Sequence, residues 1–94
     1  MQDVMDKAVD RLGKRLKGFE GTARFVLKEA GTIIADPAGV REGDGPADVT
    51  LTATVEDFRA LLEGRLKPAT AFMTGRLKVD GSMAMAMKLG AALA

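Results

Sequence analysis

From Met83 to Ala94 the chain reads MAMAMKLGAALA, twelve residues in which Lys88 is the one charged side chain. A helix built from this segment is apolar on nearly every side, whereas a surface helix of a small domain keeps a polar face. At 1.5 Å per residue it rises only about 18 Å, too short to cross the hydrocarbon core of a bilayer. Its apolar surface must be covered some other way. The core of a 94-residue chain is thin, since a domain of this size buries only roughly 60–65% of the surface it exposes when unfolded. Such a core covers one face of the helix. The other face calls for a bound ligand, a second copy of the chain or a membrane surface. Met83, Met85 and Met87 fall on this segment and Met73 lies just upstream. Unbranched thioether side chains repack around ligands of different shape, although a methionine stripe also reads as ordinary core filler.

The rest of the chain alternates helix and strand signals. Met5, Ala8, Val9, Leu12 and Leu16 recur at helical spacing, which predicts an amphipathic helix from Asp3 to about Lys17, with Asp10 and Lys14 paired one turn apart. Gly18 and Gly21 end that pattern. Ala23, Phe25 and Leu27 then alternate with Arg24 and Lys28 in a strand, and Ala30-Gly31 connects to a second, short strand at Thr32–Ala35. Asp36-Pro37-Ala38-Gly39 is a turn by residue type, and a brief third strand follows near Val40–Glu42. After the loop Gly43-Asp44-Gly45-Pro46, Val49, Leu51 and Ala53 alternate with threonines in the clearest strand of the chain.

Thr54 is placed to cap a helix bearing Phe58, Leu61 and Leu62 on one face, with Gly64 as its left-handed stop. Pro68 suits the first turn of another short helix that carries Phe72 and Met73 and ends at Gly75. Leu77 and Val79 mark a last strand, and Gly81-Ser82 the turn and cap of the apolar helix. No internal repeat and no linker is evident, so a single domain over residues 1–94 is expected.

Composition narrows the function. Fourteen basic residues against thirteen acidic ones leave a net charge of +1, far from the basic excess that nucleic-acid binding uses. The chain has no Cys, His or Tyr, and its one Ser, Ser82, reads as a helix cap. There is thus no nucleophile and base pair, and no enzyme is expected. Glu42, Asp44 and Asp48 lack the spacing of a calcium loop, and the glycines form neither a phosphate loop nor a dinucleotide fingerprint. No metal and no cofactor are expected. The opening MQDVMDKAVD is not a secretory signal, and the final Ala-Leu-Ala is not a peroxisomal address. A cytoplasmic location is the expectation. Arg11, Lys14, Arg15 and Lys17 read first as the wet face of the opening helix and second as an anion-attracting cluster; Arg65, Lys67, Arg76 and Lys78 allow the same two readings.

Residues 64–89, GRLKPATAFMTGRLKVDGSMAMAMKL, hold Gly64, Pro68, Phe72-Met73, Gly75 and Gly81 in set order. This pattern resembles the carboxy-terminal signature of the sterol carrier protein type 2 family. The upstream order of helix, strand meander, Ala-Asp-Val-Thr-Leu and Val-Glu-Asp-Phe is similar too. The resemblance implies an α+β fold: an open, mixed and mostly antiparallel five-stranded sheet, with helices packed on one face. It also implies a hydrophobic tunnel between the sheet and the C-terminal helices. Carried onto this chain, the ligand-binding positions are Phe25, Phe58, Leu61, Leu62, Phe72, Met73, Met83 and Met87. The implied function is non-catalytic binding and transfer of a fatty acid, fatty acyl-CoA, sterol-like or other lipid ligand. A structural or dimerising module attached to lipid-metabolising enzymes is the alternative. Transient contact with a membrane surface and a homodimer are the further partners the apolar tail allows. The second and third strands are shorter and less apolar than in fuller members of the family.

Overall fold

Alternation in the strand segments sorts the side chains into two faces, and the helices follow from that sorting. The computed structural model describes residues 2–93. The elements run α1 (Gln2–Arg15), β1 (Ala23–Lys28), β2 (Gly31–Asp36), β3 (Gly39–Glu42), β4 (Val49–Thr54), α2 (Val55–Leu62), α3 (Pro68–Met73), β5 (Lys78–Gly81) and α4 (Met83–Leu93). The last residue of the expected final helix, Ala94, lies outside the described residues. The strands form one sheet in the order β3-β2-β1-β4-β5. β1 and β4 run parallel at its centre, and the outer pairs are antiparallel. The fold is therefore the mixed, mostly antiparallel α+β architecture that the resemblance implies.

Cross-strand register builds an apolar row across the sheet. Ile33 faces Phe25, Phe25 faces Leu51, and Leu51 faces Val79. Phe25, Ile33 and Leu51 are buried, and Val79 packs against them. The neighbouring row, offset by one residue, runs Arg41, Ile34, Arg24, Thr50 and Asp80. Because successive residues point to opposite faces, one face takes the apolar set and the other takes threonines and charges around a single buried Ile34. Arg24 binds Thr50 Oγ1 at 3.2 Å and Asp44 at 3.1 Å on that polar face. β2 is longer than expected and buries Ile33, Ile34 and Ala35. Glu29 in the left-handed region, at φ 67°, followed by Gly31 turns the chain tightly enough for β2 to pair with β1 over five residues.

The helices cover the apolar face. α1 buries Met5, Ala8 and Leu12, and α2 buries Phe58, Leu61 and Leu62. The Phe58 ring meets Phe25 edge to face, with centroids 6.0 Å apart. α2 starts as expected, with Thr54 Oγ1 accepting from the Asp57 amide at 3.1 Å. Ser82 plays the same part for α4, accepting from the Met85 amide at 3.2 Å. The loose end of the helical layer is tied by Arg15. Its guanidinium donates to the carbonyls of Leu62 and Leu93, each at 2.6 Å, and so closes the C-terminal ends of both α2 and α4. Arg15 is thus not on the wet face of α1. Lys14 does pair with Asp10, at 3.4 Å.

Candidate functional site

Two short stretches of chain with the same four residues each turn a leucine into the wall of an apolar cavity. Gly-Arg-Leu-Lys occurs at residues 64–67 and again at 75–78. In each copy the glycine takes a left-handed conformation, φ 79° at Gly64 and 78° at Gly75. Arg65 donates its amide to Ala60 O at 2.9 Å, and Arg76 does the same to Ala71 O at 2.8 Å. Gly64 binds Leu61 O and Gly75 binds Phe72 O, each at 3.2 Å. Both copies are Schellman caps, closing α2 and α3 in turn and folding the next leucine back under the helix. Leu66 and Leu77 are buried as a result. Four residues recur because two helices end in one way.

These leucines face a cavity of about 660 Å³ between the sheet and the last two helices. Leu51 and Val79 of the central apolar row form its floor, and Leu61 closes it from α2. Pro68 and Phe72 contribute from α3, with Met83, Ala86, Met87, Gly90 and Leu93 from α4. Lys67 is the one charged residue among those lining it. α4 is seated by its first and last turns. Gly81 approaches β4 so closely that a Cβ there would stand 2.5 Å from Asp48 O, and its φ of 102° also demands glycine. From that turn the helix buries Leu89 and Leu93 while Met83 stays 53% and Met87 75% exposed. The apolar tail is therefore not sheltered by its own scaffold.

Of the positions carried over from the resemblance, Leu61, Phe72, Met83 and Met87 come together around this cavity. Phe25 does not reach it and lies fully buried beneath Phe58. Phe58 and Leu62 face a second hollow, of about 300 Å³, between α1 and α2; Lys7, Arg11, Arg59 and Glu63 also line it, so it is polar at its rim. Met73, 83% exposed, points away from both. Leu66, Leu77, Leu51 and Val79 were not among the expected positions. The repeated tetrapeptide was the available signal for the first two, and strand alternation for the others.

No acid lines the larger cavity. The nearby carboxylates are engaged elsewhere: Asp57 with Arg76 at 3.5 Å, and Glu63 with Arg65 and, at 3.7 Å, Arg11. The Arg65 hydrogen bond holds the Glu63 carboxyl below its ordinary pKa, so it carries charge at neutral pH. The arrangement can enclose a hydrocarbon, with Lys67 as the one charged group beside it. Among the described residues no helix is long and apolar enough to cross a membrane, and no cluster of three or more acidic side chains could hold a metal ion.

A five-stranded mixed sheet with helices on one face and an apolar hollow beside α4 is the α+β class of fold that the sequence signature points to. Residues 2–94 match the model of the SCP-2 sterol transfer family, and the chain belongs to that family. Human hydroxysteroid dehydrogenase-like protein 2 is 41% identical over 75 residues, which covers 79% of this chain and 17% of that protein. The chain thus spans about a sixth of the length of the curated relatives it matches. The crystal structure of sterol carrier protein 2 like 2 from Aedes aegypti superposes with a TM-score of 0.81 at 23% identity, covering 96% of each chain. Sterol carrier protein 2 of the same mosquito, in complex with the C16 fatty acid palmitate, gives 0.79 at 22% identity, covering 97% of this chain and 94% of that one.

Proposed function

We propose that residues 1–94 act as one lipid-binding domain, which holds the hydrocarbon of a fatty acid, fatty acyl-CoA or sterol-like ligand in the cavity beneath α4 and does no covalent chemistry. The observation that carries this reading is the cavity itself. Its volume of about 660 Å³ falls in the range of small-molecule pockets, and its lining is apolar except for Lys67. Leu61, Phe72, Met83 and Met87 are the contacts proposed from the earlier expectation, joined by Leu66 and Leu77. Phe25, Phe58, Leu62 and Met73 stand outside the proposed site. The palmitate held by a protein of the same fold supports a long-chain acyl ligand.

Burying about ten methylenes is worth on the order of 8 kcal/mol before the several kcal/mol lost in immobilising ligand and protein. Micromolar or weaker affinity follows, which suits a carrier that also releases its cargo. The test is native mass spectrometry of the protein as isolated, followed by titration of the delipidated protein with a fluorescent fatty acid. An adduct of lipid mass and saturable uptake are expected; an empty protein that takes up nothing overturns the reading.

A second reading draws on the enzyme-sized relatives, in which the matching segment is a small fraction of the chain. Here the domain is a structural or dimerising module that serves an attached or partner enzyme. Sedimentation separates the two, since a stable dimer without ligand uptake favours the module and a ligand-loaded monomer favours the carrier.

A further inference from the structure

The methionines among the described residues sit in unlike surroundings. Met5 is buried, and Met85 packs against the core over Gly21. Met73, at 83%, is the most exposed of them and lines neither hollow. Met83 and Met87 stand one helical turn apart on α4, where they line the apolar cavity and are also open to solvent. The chain has no Cys, so thioethers are its only oxidisable sulfur. An unsaturated acyl chain that has taken up oxygen carries a hydroperoxide part-way along its hydrocarbon. Held in the cavity, such a chain brings an oxidant against the two sulfurs of its wall.

Given the lipid-binding reading on which this depends, we infer that Met83 and Met87 form an oxidation site addressed from inside the cavity, where a bound fatty-acyl hydroperoxide passes its terminal oxygen to a thioether. The sulfur lone pair attacks the distal peroxide oxygen. The O–O bond breaks as the S–O bond forms, and the hydroperoxide proton passes to the proximal oxygen. Sulfur is oxidised by two electrons and the peroxide reduced by two, which leaves methionine sulfoxide and a hydroxy-acyl lipid. This modifies the carrier once per sulfur, by a damaged cargo, and is not turnover.

Confinement supplies the selectivity. One molecule in about 660 Å³ is at a local concentration of about 2.5 M. Against about 0.1 mM in free solution that is an advantage of roughly 10⁴-fold, which outweighs the slightly greater exposure of Met73. Each sulfoxide places a polar group in an apolar wall and so weakens the hold on the next chain.

The test compares two oxidants on the delipidated full chain, hydrogen peroxide and linoleic acid hydroperoxide, each at about 0.1 mM, with peptide mass spectrometry reading the gain of one oxygen at each methionine. Hydrogen peroxide should follow exposure, oxidising Met73 at least as fast as Met83 or Met87 and Met5 last. The lipid hydroperoxide should raise the ratio of Met87 to Met73 oxidation by about tenfold or more, and excess palmitate should remove that rise. Fatty-acid affinity should fall about fivefold or more on treatment with the lipid hydroperoxide, and should not fall in the Met83→Leu/Met87→Leu double variant, whatever its starting value. Uptake of a fluorescent fatty acid by the untreated protein is measured alongside. If that uptake is normal and Met73 still leads with both oxidants, the oxidation site is overturned while the carrier stands. A rise that survives excess palmitate comes from outside the cavity and overturns it as well. No uptake at all overturns both.

Discussion

α2 and α4 lie on the same face of the same sheet, yet the more apolar of the two is the less buried. α2 reads VEDFRALL and carries Glu56, Asp57 and Arg59 on the side away from the core. Those charges leave it one apolar stripe, and Phe58, Leu61 and Leu62 are all buried. α4 reads MAMAMKLGAAL, and of its large side chains Leu89 and Leu93 are buried while Met83 and Met87 are exposed. Burial follows from the contrast between the faces of a helix, which orients it, and not from its total apolarity. A helix without contrast has no face it must hide, and the space beside it stays open.

That contrast can be broken at several points. The largest effect is expected at Phe58, where Phe58→Ala removes a fully packed ring and its edge contact with Phe25; urea unfolding should show a loss of about 3–5 kcal/mol. Met87→Ala, by comparison, should stay within about 0.5 kcal/mol of the parent. Equal losses at the two sites would erase the distinction between the helices. Next comes Ala86→Phe, which places a ring in the cavity. Fluorescent fatty-acid titration should then show affinity reduced about tenfold or more, while the urea midpoint changes little.

A smaller effect of opposite sign is expected at Gly90. A Cβ there meets only Pro68 Cβ, at 3.9 Å, so Gly90→Ala should stabilise the protein by about 0.5–1 kcal/mol through helix propensity alone. Destabilisation instead would mean that α3 and α4 pack more tightly than the cavity implies. The smallest effect belongs to the far edge of the sheet. Hydrogen bonds from the Arg41 guanidinium, helped by the Ala38 amide, hold the Asp36 carboxyl below its ordinary pKa. Its folded value is the depressed one, so the stabilisation is present above the unfolded pKa and is lost as the pH falls through the folded value. NMR titration of the Asp36 carboxyl in Arg41→Gln should return it toward the ordinary aspartate range.

Much of the fold was legible because its signals are local. Strand alternation at Ala23–Leu27 and Val49–Ala53 named the buried face, and register then carried it across the sheet. Thr54, Gly64, Gly75 and Ser82 marked helix ends because caps depend on bonds between residues three to five apart. The candidate site was less legible. The resemblance carried Phe25 and Phe58 over as lining, but large aromatic rings are what a thin core uses to fill itself. Leu66 falls between two elements and Leu77 reads as the start of the last strand, but two identical caps fold both inward to the cavity. Met73 sits beside Phe72 in the chain, but the two side chains diverge by about 100° around the helix.

What the amino-acid sequence determined by itself, then, was the list of elements, the face each strand hides and the excess of apolar surface in the closing helix. Each depends on neighbours within a few residues along the chain. Tertiary structure alone decided where that excess lies open and which side chains surround it. A cavity is the volume left over among Leu51, Leu61, Leu77 and Met87, and the spacing of such distant residues is set only when the elements pack.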